Sequence, residues 1–104
     1  MKKIAFIMKL KPGTAREYKK RHDKIWPELS DLLREAGISD YSIFLDERTL
    51  TLFAVQKLTD NDTTADLPKH PLMQKWWISM IPLMETNPDG SPTCQPLEQV
   101  FHLE

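Results

Sequence analysis

One cysteine, three glycines and no surplus of positive charge set the first limits on this chain. The lone thiol, Cys94, can form neither an intrachain disulfide nor a multi-thiolate zinc site, and it suits a reducing compartment. The few glycines build no phosphate-cradling loop, and neither a GxSxG elbow nor an HExxH helix occurs. Lys plus Arg number 14 against 15 Asp plus Glu, a net charge of −1, so nothing here is built to neutralise phosphates or an anionic membrane. Nucleic acid and membranes are therefore not expected partners. No stretch approaches the ~20 apolar residues of a membrane span. The N-terminal run from Ile4 to Met8 is cut off by Lys9 and Lys11, short of the roughly 7 to 15 apolar residues of an export signal. It reads as mature sequence, with the cytoplasm as the expected location.

What is present suits a folded protein. With 104 residues, 40% hydrophobic and 28% charged, the expectation is one domain, residues 1–104, that buries roughly 60 to 70% of its unfolded surface. Lys3 to Leu10 is a short apolar segment closed by Pro12-Gly13, as a strand and turn. Thr14 and Glu17 have capping-box spacing at the head of a helical segment reaching Ala36, which Gly37 ends. Pro27 breaks that segment, because it removes a backbone donor and pushes Trp26 out of helical angles; two helical pieces are expected, parting near Lys24 to Trp26. Ser39 to Leu45 and Leu50 to Leu58 alternate as the strands of a hairpin. Pro71 to Met84 has helical spacing of Leu72, Trp76, Ser79 and Leu83, with Pro82 bending it or ending it early. Leu97 to Leu103 alternates again, as a closing strand.

That order is the βαββαβ pattern of an α+β ferredoxin-like sandwich, a four-stranded antiparallel sheet with its helices on one face. The uncovered sheet face would be an unusually large apolar patch. A homodimer, with a barrel-like pairing of sheets and a pocket in each subunit, would cover it.

Six aromatic and polar side chains then stand out: Tyr18, His22, Trp26, Tyr41, Trp76 and Trp77. Tyr18 and His22 are four apart, on one face of a helix and within reach of one small ligand. His22 also lies among Lys19, Lys20, Arg21, Asp23 and Lys24, so it fits equally a solvated helix face, and Tyr18 a core position. Trp76 and Trp77 point about 100° apart, which lets one pack in the core while the other covers an edge. Tryptophan and tyrosine faces also suit the C–H surface of a sugar, with indole and phenol hydrogens meeting its hydroxyls.

Four stretches carry a resemblance. Glu17 to Leu29 (EYKKRHDKIWPEL), Ala36 to Asp46 (AGISDYSIFLD), Gln74 to Trp77 (QKWW) and Asn87 to Glu104 (NPDGSPTCQPLEQVFHLE) together resemble the L-rhamnose mutarotase family from end to end. Only Thr59 to His70 carries nothing characteristic, and Pro68, Pro71 and Pro82 bear on the path of the second helix rather than on the chemistry. The resemblance implies an isomerase acting on L-rhamnose as a homodimer, with His22 as proton donor and Tyr18, Tyr41, Trp76 and Trp77 contacting the sugar.

The chemistry agrees with those residue types. Anomers exchange when a proton reaches the ring oxygen and another leaves the anomeric hydroxyl, so acid and base suffice and neither cofactor nor metal is required. A histidine of pKa ~6.5 can give and recover a proton near neutrality, and a tyrosine of pKa ~10 can orient or relay the other. Two other classes fit the same pattern: a haem- or quinol-handling monooxygenase of the dimeric ferredoxin-like kind, and a non-catalytic small-molecule-binding dimer.

Overall fold

The computed structural model describes residues 1–104. Its elements in chain order are β1 (Lys2–Lys9), α1 (Ala15–Asp23), α2 (Pro27–Glu35), β2 (Ile38–Asp46), β3 (Thr51–Leu58), α3 (Pro71–Met80) and β4 (Gln95–Leu97), with 3₁₀ turns at Thr64–Lys69 and Ile81–Leu83. The strands form one antiparallel sheet in the order β2-β3-β1-β4. This is the expected ferredoxin-like arrangement. No helix is long and apolar enough to cross a membrane.

Pro27 parts the helices as its chemistry requires. Trp26 takes an extended ψ of 128°, Pro27 occupies the first turn of α2, and Ile25 N–H donates to the His22 carbonyl at the end of α1. Pro82 likewise ends α3 early, in the 3₁₀ turn that follows Met80.

Two expectations are corrected. The capping box does not form: the Thr14 hydroxyl faces the Lys11 and Leu83 carbonyls at 2.8 Å each, and Glu17 pairs with Arg21 at 2.7 Å. Thr14 thus ties the start of α1 to the 3₁₀ turn that follows α3. The closing strand is also shorter than its alternation implies, because β4 stops at Leu97 and residues 98–104 have no neighbouring strand to pair with. Val100, Phe101 and Leu103 are 88%, 77% and 80% exposed.

Gly37 closes α2 with φ of +101°, a left-handed value that glycine adopts without penalty. A Cβ there would lie 2.9 Å from the Asp62 Cβ and would also meet the Thr59 side chain. Gly37→Ala combines backbone strain with overlap and should lower stability by roughly 2 to 4 kcal/mol, read from the midpoint of chemical denaturation.

The core lies between the sheet and the helices. Met8, Leu10, Leu52 and Ala54 from the strands meet Tyr18, Leu29, Met73, Trp76 and Met80 from the helices. The other sheet face has no helix over it, and Phe44 and Phe53, paired across β2 and β3, are exposed there with Leu97.

Candidate active site

A cavity of about 1310 Å³ opens between the sheet and helices α1 and α3. Tyr18 and His22 reach it from α1, Trp76 and Trp77 from α3, and Tyr41 from β2, so five of the six side chains singled out from the sequence come together, while Trp26 packs behind Trp76 without lining the cavity. Small-molecule pockets usually span about 300 to 1,000 Å³, so this one is larger than most.

Helical spacing does for Tyr18 and His22 what it promised. Their rings stack with centroids 4.1 Å apart and an interplanar angle of 30°. The Trp76 ring meets His22 edge-on at 5.3 Å and 82°, and Trp26 meets Trp76 at 5.1 Å and 85°. His22 is therefore held on two sides by aromatic rings, a fixed geometry of the kind acid–base chemistry needs.

Its tautomer follows from one contact. His22 Nδ1 lies 2.9 Å from the Tyr18 carbonyl oxygen, which only accepts hydrogen bonds, so Nδ1 carries the hydrogen. In the neutral ring Nε2 is then the free proton acceptor. Burial holds the His22 pKa below its ordinary value of 6.5, while the Tyr18 carbonyl and the Asp23 carboxylate pull weakly the other way. At pH 7 the neutral ring prevails.

The two tyrosines keep their protons. Burial raises the Tyr18 pKa strongly, with a smaller contribution from Tyr41. Burial also pushes Tyr41 up to about 12, with Cys94 adding to it, although the residue keeps 39% of its surface open. Near neutrality both phenols are hydrogen-bond donors rather than bases.

Tyr41 owes its place to a β-bulge. Between the pairs Ser39↔Lys57 and Ser42↔Val55, β2 advances three residues while β3 advances two, and Asp40 takes the left-handed φ of +46°. The extra residue reverses the alternation, so Ile38 on one side of it and Tyr41, Ile43 and Leu45 on the other all line the cavity.

Trp76 is 7% exposed and belongs to the core, whereas Trp77 is half-buried at its edge, yet both line the one cavity. The division expected from their 100° separation is thus one of burial and not of access. Substituting each by Phe should lower thermal stability mainly at Trp76 and little at Trp77, as measured by melting.

Sequence reasoning did not single out Cys94 or Gln56, both of which line the cavity. For Gln56 a signal existed: it is the only polar residue among the inward positions Leu52, Ala54, Gln56 and Leu58 of β3. No three His, Cys, Asp or Glu side chains are grouped so that they could hold a metal ion.

The chain is similar to known proteins in sequence and in fold. The family model described as L-rhamnose mutarotase matches residues 3–103. The L-rhamnose mutarotase of Sinorhizobium fredii is 61% identical, covering 99% of each chain. That of Flavobacterium johnsoniae is 59% identical, covering 96% of this chain and 94% of its own. The crystal structure of the L-rhamnose mutarotase of Formosa agariphila superposes with a TM-score of 0.94 at 48% identity, covering 100% of both chains.

Proposed function

The chain belongs to the L-rhamnose mutarotase family, and we propose that within it His22 moves the proton that opens the sugar ring while Tyr18, Tyr41, Trp76 and Trp77 hold the sugar. The reaction is the exchange of the α and β anomers of L-rhamnose, an isomerisation in which no group is added or lost. One observation carries the residue assignment: a neutral His22, clamped by Tyr18 and Trp76, offers a free Nε2 in a cavity lined by aromatic rings.

The proton path follows from that state. Nε2 takes the proton of the anomeric hydroxyl, the oxygen left behind forms the aldehyde C=O, and the bond between C1 and the ring oxygen breaks with its electron pair on the ring oxygen. The imidazolium then donates its proton to that oxygen. Both oxygens are attached to C1, so one nitrogen serves both. Rotation about C1–C2 and the same steps in reverse close the ring on the other face. A depressed pKa makes the transient imidazolium a stronger donor, and the phenols of Tyr18 and Tyr41 orient the oxygens without titrating.

Freshly dissolved crystalline α-L-rhamnose provides the test. Its optical rotation should reach the same final value faster with the protein present. An unchanged time course would point instead to a binding module or an oxidative enzyme. The pH dependence has a definite sign. His22 works from its neutral form, so catalysed exchange should be flat above pH 6.5 and fall as pH drops through the lowered His22 pKa. A catalysed rate that rises on acidification would contradict the neutral resting state.

The chain works as a homodimer in the cytoplasm. Two apolar surfaces support the dimer, the open sheet face around Phe44 and Phe53 and the exposed tail carrying Val100, Phe101 and Leu103. The size of the cavity leaves room for part of a second copy beside the sugar.

A further inference from the structure

Gln56 is the one buried polar residue on the inward face of the sheet, and its amide has no hydrogen-bond partner within the chain. It is only 6% exposed, and the other inward residues of β3, Leu52, Ala54 and Leu58, are apolar and buried. The polar neighbour on the same sheet, Thr51, is satisfied by the Thr49 hydroxyl at 2.8 Å and the Lys9 ammonium at 3.0 Å. The Gln56 amide has no such partner, although it offers two donor hydrogens and an acceptor oxygen. No side-chain nitrogen or oxygen of the chain is both fully sealed and unpaired, so the amide keeps an outlet, and the space it adjoins is the sugar cavity.

The strand register gives the amide a neighbour. Across β1 it faces Ile4, which offers no side-chain partner. On β2 the position opposite Gln56 is the bulge, Asp40 and Tyr41, of which Tyr41 shares its face and lines the cavity with it. The Asp40 carboxylate is instead engaged with Lys57, at 3.4 Å, and both side chains are largely exposed. A phenol donor and an amide that both donates and accepts thus stand side by side on an otherwise apolar floor.

Building on the mutarotase reading above, we propose that Gln56 is a substrate-positioning residue whose amide takes a hydroxyl of the pyranose ring, accepting its hydrogen or donating to its oxygen. The outlet of the amide opens into the cavity, so a sugar hydroxyl bound there can pair with it on an otherwise apolar floor where no protein group competes for it. A site built to pair with a hydroxyl discriminates strongly against a sugar that lacks it, because the protein group is then left buried and unpaired. Gln56 therefore contributes to choosing among sugars while His22 carries the chemistry.

The experiment compares wild type with Gln56→Met, which keeps the length and removes the hydrogen bonds, and with Gln56→Leu as a second apolar replacement. Saturation-transfer exchange at a series of L-rhamnose concentrations separates the Michaelis constant from the limiting rate. The Michaelis constant should rise roughly 5- to 100-fold, the limiting rate should change less than about threefold, and the melting temperature should hold or rise. Among L-rhamnose analogues each lacking one hydroxyl, one should bind wild type poorly yet be no worse than L-rhamnose for the Met variant. An unchanged Michaelis constant in both variants, or a fall in melting temperature with no change in binding, would assign Gln56 to packing and overturn the proposal. A wild-type protein that exchanges no anomers would remove the mutarotase reading and Gln56 with it, whereas normal exchange by wild type and both variants would remove Gln56 alone.

Discussion

His22→Ala should slow catalysed anomer exchange by 10²- to 10⁴-fold, the usual contribution of a general acid–base group. Neither the phenols nor the thiol of the cavity can replace it. Tyr18 and Tyr41 are both raised far above neutrality by burial, so neither phenol yields its proton readily, and Cys94 is shifted upward by burial as well. The fold should survive the change. Alanine removes one stacked and one edge-on aromatic contact, worth about 1 to 2 kcal/mol together, and leaves the Tyr18 carbonyl free to find water. The rate is read by anomer exchange at saturating sugar and the fold by thermal melting. A variant that melts normally and exchanges anomers at the wild-type rate would take the proton away from His22.

Deleting residues 98–104 should abolish the dimer while leaving the isolated chain folded. The segment pairs with no strand, and its apolar side chains are exposed, so its removal takes nothing from the core between sheet and helices. In a dimer the same side chains would be buried against the second copy. An interface that hides the tail and the open sheet face should exceed about 1,200 Å² in total, enough to couple association to folding. Full-length protein should therefore melt at a temperature that rises with concentration, and the shortened chain at a lower, concentration-independent one. Sedimentation velocity reads the same difference directly. Full-length protein that sediments as a 12.1 kDa species at micromolar concentration would remove the dimer and leave the His22 chemistry untouched.

Much of this architecture is legible in the residues. Pro27 announces the break between α1 and α2, Gly37 the end of α2, and the alternations of Tyr41, Ile43 and Leu45 the inward face of β2, because each reflects a local constraint on backbone or side-chain direction. Alternation from Leu97 to Leu103 suits a strand but names no partner for it, and β4 ends where the chain's own sheet has nothing left to pair with it. Thr14 and Glu17 have the right spacing for a capping box, yet the Leu83 carbonyl and the Arg21 guanidinium compete successfully for them. Tertiary partners decided both cases.

The site divides in the same way. The four-residue spacing of Tyr18 and His22 is a helix property and so was readable, whereas the T-shaped contacts of His22 with Trp76 and of Trp76 with Trp26 join elements far apart in sequence. Gln56 shows the limit most clearly. Its alternation with Leu52, Ala54 and Leu58 marks it as inward, but what stands beside it depends on the register, which opposite Gln56 passes through a bulge that the sequence marks only by Asp40, a residue more tolerant than most of left-handed angles.

Saturation-transfer NMR on L-rhamnose at anomeric equilibrium tests the central claim most directly, since it requires neither a chromophore nor net turnover. Saturating the α-anomeric proton in the presence of catalytic wild-type protein should diminish the β signal at pH 7.5, and His22→Ala at the same concentration should leave it at the level of the protein-free sugar. Undiminished β intensity with folded wild-type protein, or equal transfer by wild type and His22→Ala, would contradict the account.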